Sequence, residues 1–249
     1  MRDGIEYLQG WLPAPPVVFL PGLFAGAWMW KSAWDHLSAA GYSVLQVLEP
    51  FAALDTRSPS IDLLREMLIG VLDEQEISRA VLCGNSLGSL VALDTARHHP
   101  GRVEAVVISG CPGLGVTANL GLRHSGDMSR EHADRIADQL FYDRSLVSEE
   151  MIERSYALAR DRRCATNMLR YILAVRKYDV RLCLTKIQCD VLMVWGEHDR
   201  IAPVEDWEQN LHLMARTSLH KLARCGHSPM IEKAAEFNAI LTKFMLERV

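Results

Sequence analysis

Gly84-Asn85-Ser86-Leu87-Gly88, a G-x-S-x-G pentapeptide, stands between the apolar run Ala80-Val81-Leu82-Cys83 and an apolar helical pattern from Leu87 to His98. The five letters alone occur by chance in many chains. A strand before them and a helix after them describe a nucleophile elbow. In that turn the serine takes a strained conformation that small neighbours must allow, so a glycine two residues to either side has a steric reason to be there. The hydroxyl then stands clear of the sheet, and the N–H groups that open the helix point at the same spot. The competing interpretation is a serine in a glycine-rich turn with no chemistry, and the rest of the chain decides between them.

Outward from the elbow, short apolar runs alternate with longer amphipathic stretches. Val17–Leu20 reads as a buried strand, followed by a Pro-Gly turn and a helix over 30–40 that Gly41 ends. A strand over 42–48, a helix over 61–76 capped by Ser60, the elbow strand with its helix, and a strand over Val103–Ser109 come next. Strand and helix alternating in this way predict an α/β fold, a mostly parallel sheet flanked by helices. From about 113 to 182 the alternation stops. Three helical patterns replace it, over 130–141 after Ser129, 149–160 after Ser148, and 166–177. The rhythm resumes with a strand at Val191–Trp195, a helix over 203–214, a strand over 218–222 and a closing helix over 229–247. The expected division is therefore a core of residues 1–112 and 183–249 with a helical cap, 113–182, inserted between two strands.

Bulk properties narrow the partners. The chain has 249 residues, enough for one large domain, with 23% charged residues and a formal net charge of −4. Without a basic block, neither nucleic acid nor an anionic membrane is the expected partner, and a small molecule is. Residues 10–30 carry no charge, but Pro13, Pro15, Pro16, Pro21, Gly22 and Gly26 break them into pieces too short to span a bilayer. Arg2, Asp3 and Glu6 near the start do not suit a secretory signal. The six cysteines are scattered with no C-x-x-C pair, as in a reducing compartment, so a soluble cytoplasmic protein is expected. Oligomeric state is not legible.

A serine hydroxyl needs a base to accept its proton, and the base needs an acid to fix its tautomer. On a parallel sheet these groups belong in loops just after strands, in the order serine, acid, histidine. The loop Gly196-Glu197-His198-Asp199-Arg200 offers Asp199 as the acid, with Glu197 second, whereas the loop Gly110-Cys111-Pro112-Gly113 offers no carboxylate. Of nine histidines, His36, His132 and His212 fall in helical patterns, His98 and His99 end a helix, His124 lies in the cap, His220 lies in a strand, and His198 adjoins the acid. His227, immediately after the last strand, remains as the base. Oxyanion donors are expected from the N–H of Leu87 and, after the Val17–Leu20 strand, the N–H of Leu23. Phe24, Trp28, Trp30 and Trp34 could line a pocket mouth or simply form core under the first helix. Phe24 and Trp28 are taken with Asn85 and Ser228 as candidate substrate-binding residues. No His/Cys/Glu cluster has metal-ligand spacing and no G-x-G-x-x-G follows a strand, so no metal or phosphate loop is expected.

The elbow, the Trp195–Asp199 loop and the Cys225-Gly226-His227 loop together resemble the α/β-hydrolase superfamily over nearly the whole chain. The resemblance implies the α/β-hydrolase fold, a Ser86–His227–Asp199 triad, a helical cap over the site and no cofactor. Serine at the elbow is unlike the aspartate of haloalkane dehalogenases and epoxide hydrolases. Within the superfamily, Cys225-Gly226-His227 followed by Glu232, Glu236, Phe237 and Asn238 is similar to the meta-cleavage-product hydrolases, which split carbon–carbon bonds. Asn85 and the segment Phe141-Tyr142-Asp143 through Leu146 point the same way. The chain departs from those enzymes at Ser228, where they carry tryptophan, at Pro21-Gly22-Leu23-Phe24 in place of their oxyanion loop, and at Glu49-Pro50-Phe51. Their cap arginine is also unmatched, with Arg154 one position off and Ser155 in its place. The expected activity is therefore hydrolysis of an ester or thioester of a small, largely apolar acyl group. Carbon–carbon cleavage is the alternative, and a hydrolase-fold ligand receptor or pseudoenzyme is a third.

Overall fold

The computed structural model describes residues 4–56, 58–115 and 129–248. His124 and Arg2 and Asp3 lie outside the described residues. Seven strands form one sheet: β1 (Ile5–Leu8), β2 (Val17–Leu20), β3 (Val44–Val47), β4 (Ala80–Asn85), β5 (Val103–Ser109), β6 (Asp190–Gly196) and β7 (Thr217–Leu222). Their order is β1-β3-β2-β4-β5-β6-β7, parallel throughout except for β1, which runs antiparallel to β3.

The helices between them are α1 (Lys31–Ala39), α2 (Ile61–Glu74), α3 (Leu87–His98), α4 (Arg130–Leu140), α5 (Glu149–Arg160), α6 (Arg162–Lys177), α7 (Val180–Leu184), α8 (Val204–Glu208), α9 (Pro229–Glu232) and α10 (Ala234–Arg248). The two-residue period of the strands sorts side chains into two core layers. Val18, Leu20 and Leu82 face a layer shared with Leu64 and Leu68 of α2 and Leu90 and Val91 of α3. Val17, Phe19, Val81 and Cys83 face the other, with Leu37 of α1 and Phe237 and Leu241 of α10. Both faces are covered, so the central strands β2 and β4 are buried at every position.

The helical block α4–α7 between β5 and β6 is tied to the core by side chains. Asn167 of α6 donates to the carbonyls of Ala52 (3.1 Å) and Leu54 (2.9 Å). The Tyr178 hydroxyl, just past α6, donates to the fully buried Asp94 carboxylate of α3, which Arg65 of α2 also meets at 2.7 Å.

Most elements fall where the sequence places them; α7 was not expected and straddles the 182/183 division, and four further departures have local causes. β1 was not expected: it is an edge strand of four residues, alternately half-buried and exposed. α6 begins at Arg162 rather than 166 because Asp161 caps it, accepting from the Cys164 N–H at 2.8 Å. The helix expected over 203–214 stops at Glu208, where the Asn210 amide bonds the Asp206 carbonyl (2.7 Å); a 3₁₀ turn, Leu211–Leu213, follows. The closing helix is broken at Lys233 (φ −132°, ψ 45°) into α9 and α10. No helix among the described residues is long and apolar enough to cross a membrane.

Candidate active site

Ser86 occupies the sharp turn between β4 and α3 with φ 53° and ψ −121°, a left-handed conformation that costs a non-glycine residue of order 1–3 kcal/mol. The flanking glycines make the turn possible by mutual close approach. A Cβ on Gly84 would meet the Gly88 carbonyl carbon at 2.4 Å, and one on Gly88 would meet the Leu20 carbonyl oxygen at 2.3 Å. The elbow is thus packed directly against the end of β2. From there the chain runs into Gly22, close enough that a Cβ on it would touch the Ser86 Cβ at 3.4 Å.

His227 follows β7 in a loop held from every side. Its N–H donates to the Leu140 carbonyl at the end of α4 (2.7 Å), and its carbonyl accepts from the Asn85 amide (3.0 Å). The Glu232 carboxylate gathers three backbone N–H groups around it: Gly226 (2.8 Å), Tyr142 (2.8 Å) and Asp143 (3.2 Å). Burial of Glu232 holds its carboxyl above the usual glutamate range, against the lowering effect of those N–H groups. The His227 imidazole is 3% exposed in sum with its backbone, and its Nδ1 lies 2.8 Å from Asp199 Oδ2 and 3.0 Å from Oδ1. A carboxylate facing Nδ1 places the proton on that nitrogen and leaves Nε2 as the basic one. Asp199 is itself fixed by the N–H groups of Ile201 and Ala202, each 2.9 Å from Oδ1.

Ser86 and His227 share the wall of a cavity of about 180 Å³. Leu23, Leu87, Phe24, Trp28, Asn85 and Ser228 line it too, so each substrate-binding and oxyanion candidate borders the same space. Asp199 lies behind His227, off the wall. Glu197, the second acid candidate, is exposed, and Asp199 rather than Glu197 meets the imidazole. The aromatic group near the first helix divides: Phe24 and Trp28 border the cavity, whereas Trp30 is wholly buried and stacked on Phe19 at 5.1 Å. Asn85 borders the cavity, but its amide nitrogen is committed to the carbonyls of His227 and Ser109. It positions the histidine loop.

The opposite wall comes from α4–α6, including Ile136, Leu140, Met151, Ile152, Tyr171 and Ile172. Sequence pattern predicted these helices but not which face of each turns inward, so Tyr171 and Arg176 of α6 were missed. The cavity is largely apolar; its polar side chains are Asn85, Ser86, His227 and Ser228 from the core and Ser155, Tyr171 and Arg176 from α5 and α6. No group of three or more His, Cys, Asp or Glu side chains that could hold a metal occurs among the described residues.

A parallel sheet of this order, carrying a serine on a strained strand-to-helix turn and a histidine–aspartate pair at its carboxyl end, defines a hydrolase of the α/β class. Residues 17–240 match the alpha/beta hydrolase family, and the chain belongs to it. It is 30% identical over 92% of its length to the 2-hydroxy-6-oxononadienedioate/2-hydroxy-6-oxononatrienedioate hydrolase of Paraburkholderia phymatum, covering 86% of that protein. It is 26% identical to the 2-hydroxy-6-oxo-6-phenylhexa-2,4-dienoate hydrolase of Burkholderia cepacia, over 92% of this chain and 87% of the relative. Among solved structures, the meta-cleavage product hydrolase of Pseudomonas fluorescens IP01 superposes with a TM-score of 0.84 at 23% identity, covering 98% of this chain and 93% of that one.

Proposed function

We propose that the protein hydrolyses an ester or thioester of a small, largely apolar acyl group by way of an acyl-enzyme on Ser86. One observation carries this: the strained Ser86 and His227, whose Nδ1 Asp199 holds from behind, border a single, mostly apolar cavity. His227 Nε2 takes the Ser86 proton as Oγ attacks the carbonyl carbon, and the oxyanion rests on the N–H groups of Leu87 and Leu23. His227 then gives that proton to the departing alcohol or thiol as the carbon–oxygen or carbon–sulfur bond breaks. A water, deprotonated by the same nitrogen, attacks the acyl-enzyme, and the proton returned to Ser86 frees the carboxylic acid. Asp199 holds the imidazole in the required tautomer throughout. Every step uses side chains and backbone of this chain, with no metal or cofactor. In this reading α4–α6 act as the cap that closes the apolar side of the cavity over the acyl group.

The relatives favour a second reading, in which the same three residues cleave a carbon–carbon bond beside a ketone. Against it stand Ser228 beside the histidine and Ser155 in the cavity wall, where the resemblance led one to expect tryptophan and arginine. A fluorophosphonate probe is expected to label the wild type at Ser86 and to leave Ser86→Ala unlabelled. p-Nitrophenyl esters and acyl thioesters of rising chain length should then be turned over, and a coloured dienoate only weakly. Rapid bleaching of the dienoate with slow ester turnover would select the carbon–carbon reading, and failure of the wild type to label would end both.

A further inference from the structure

Helix α6 has two unlike sides. Cys164, Asn167, Met168, Tyr171 and Val175 are buried. Arg162, Arg163, Arg170, Arg176 and Lys177 are exposed, and with them Thr166, Leu169 and Leu173. Five cations and no carboxylate thus share one face with two leucines a turn apart, 42% and 43% exposed. Elsewhere in the helical block acids and bases pair: Asp134 and Asp138 meet Arg144, Glu149 and Glu153 meet Arg130, and Glu150 meets Arg154. Asp161 and Asp179, at the two ends of α6, accept from the N–H groups of Cys164 and Leu182. Of the five cations, Arg163 reaches the exposed Asp55 at 3.5 Å, and Arg162, Arg176 and Lys177 enter no ion pair among the described residues. The formal net charge of −4 belongs to the whole chain. Charges farther off than about 8 Å are largely screened at physiological ionic strength, so the local excess governs what this face meets. The face also borders the catalytic cavity, because Leu169 and Arg176 are exposed and line its wall.

We propose that this face of α6 docks the protein onto an anionic lipid bilayer, with its cations at the headgroup phosphates and Leu169 and Leu173 among the acyl chains. Attraction to anionic lipid and burial of apolar area are the two terms that hold a helix flat in a membrane interface, and this face supplies both. Each Lys or Arg held at an anionic surface strengthens partitioning about fivefold. A nucleic acid would meet the charges but give two bare leucines little to bury against, so the leucines decide for lipid. Docked in this way, Leu169 and Arg176 stand at the lipid surface and at the cavity wall together, and an acyl chain can pass between the two without crossing bulk water. The docking surface goes beyond the hydrolase reading; only its use, delivery of a lipid-soluble acyl ester to Ser86, rests on that reading.

The test is flotation with vesicles, comparing an equal mixture of phosphatidylglycerol and phosphatidylcholine with phosphatidylcholine alone. The wild type is expected to float with the mixed vesicles, to be released by high salt, and to bind the neutral vesicles about tenfold more weakly or less. Arg162→Gln/Lys177→Gln should weaken binding to the mixed vesicles by about 25-fold, and Leu173→Ser by about tenfold. These three side chains are exposed and stand off the cavity wall. The urea midpoint, and turnover of a short-chain p-nitrophenyl ester in vesicle-free buffer, should therefore match the wild type. Wild type that floats with neither vesicle, or binding that both variants keep in full, would overturn the proposal. So would charge-dependent binding that ignores Leu173→Ser and is matched on a DNA duplex, which would assign the face to polyanions at large. Vesicle binding that follows the variants in a protein that hydrolyses no ester would leave the docking surface standing and remove the ester reading.

Discussion

The backbone of Gly110 lies against the imidazole of His227: a Cβ at that position would fall 2.6 Å from Cε1 and 2.7 Å from Nδ1. Gly110 follows β5 with φ 58°, so its conformation and its closeness to the ring both exclude a side chain. The end of one strand therefore forms the seat on which the histidine from another loop rests. Gly110→Ala is expected to fold, to push the imidazole off the line between Asp199 and the Ser86 turn, and to cut kcat/KM by about 10²-fold or more. Ester turnover and the fluorophosphonate labelling rate would both report it. Labelling at the wild-type rate would show that the ring has another resting place.

Asp199 has two tasks that two substitutions separate. Asp199→Asn keeps an oxygen for the N–H groups of Ile201 and Ala202 but fails to hold the Nδ1 proton of His227. It should preserve the fold while lowering kcat by ~10³–10⁴. Asp199→Ala also strands two buried N–H groups and should cost a further ~1–3 kcal/mol of stability in urea denaturation. Equal stability of the two variants would show that the N–H groups find other partners.

The strain at Ser86 should appear as stability when it is relieved. Ser86→Gly removes the Cβ from a turn at φ 53° and is expected to raise the unfolding free energy by about 1 kcal/mol, with activity abolished. A matched or lowered denaturation midpoint would mean that the turn is relaxed as it stands.

Glu232 gives a pH signature. Its folded-state pKa is raised by burial, so the native state holds its proton more tightly than the unfolded chain. Its contribution to stability is therefore greatest at acid pH and declines as pH climbs from about 4.5 through the raised value. Glu232→Gln lacks this titration, and the stability difference, wild type minus variant, should fall across that window. The variant also loses one of the oxygens that gather the N–H groups of Gly226, Tyr142 and Asp143, so kcat should drop with the loosened His227 loop. A pH-independent difference would assign the raised pKa no thermodynamic weight.

The elements legible in the sequence were those whose burial is complete or whose caps are explicit. β2, β5 and α3 were read to the residue because both faces of the sheet are covered and α3 follows directly from the elbow. Ser60, Ser129 and Ser148 each cap the helix they preceded in the reading, accepting from the N–H three residues on. Strand order fixed which loops gather at one end of the sheet, so Ser86, Asp199 and His227 could be proposed from position alone. β1 was hidden because four residues of weak alternation gain their meaning only from β3 beside them. The break at Lys233 and the stop at Asn210 depend on local dihedral angles and a side-chain bond that periodicity does not report. Tyr171 was out of reach for a related reason: the inward face of α6 is decided by packing against the core, and both of its sides carry apolar residues.

The six thiols bear on how this chain can be watched. None is in a disulfide. Cys83, Cys111, Cys183 and Cys225 have no exposed surface, and burial pushes the thiols of Cys183 and Cys189 up to about 11. Alkylation of those four enclosed sulfurs must wait for the structure to open around them. Because Cys83 lies beneath the serine turn and Cys225 beside the histidine, their modification rates in native buffer time the loosening of the two halves of the site separately.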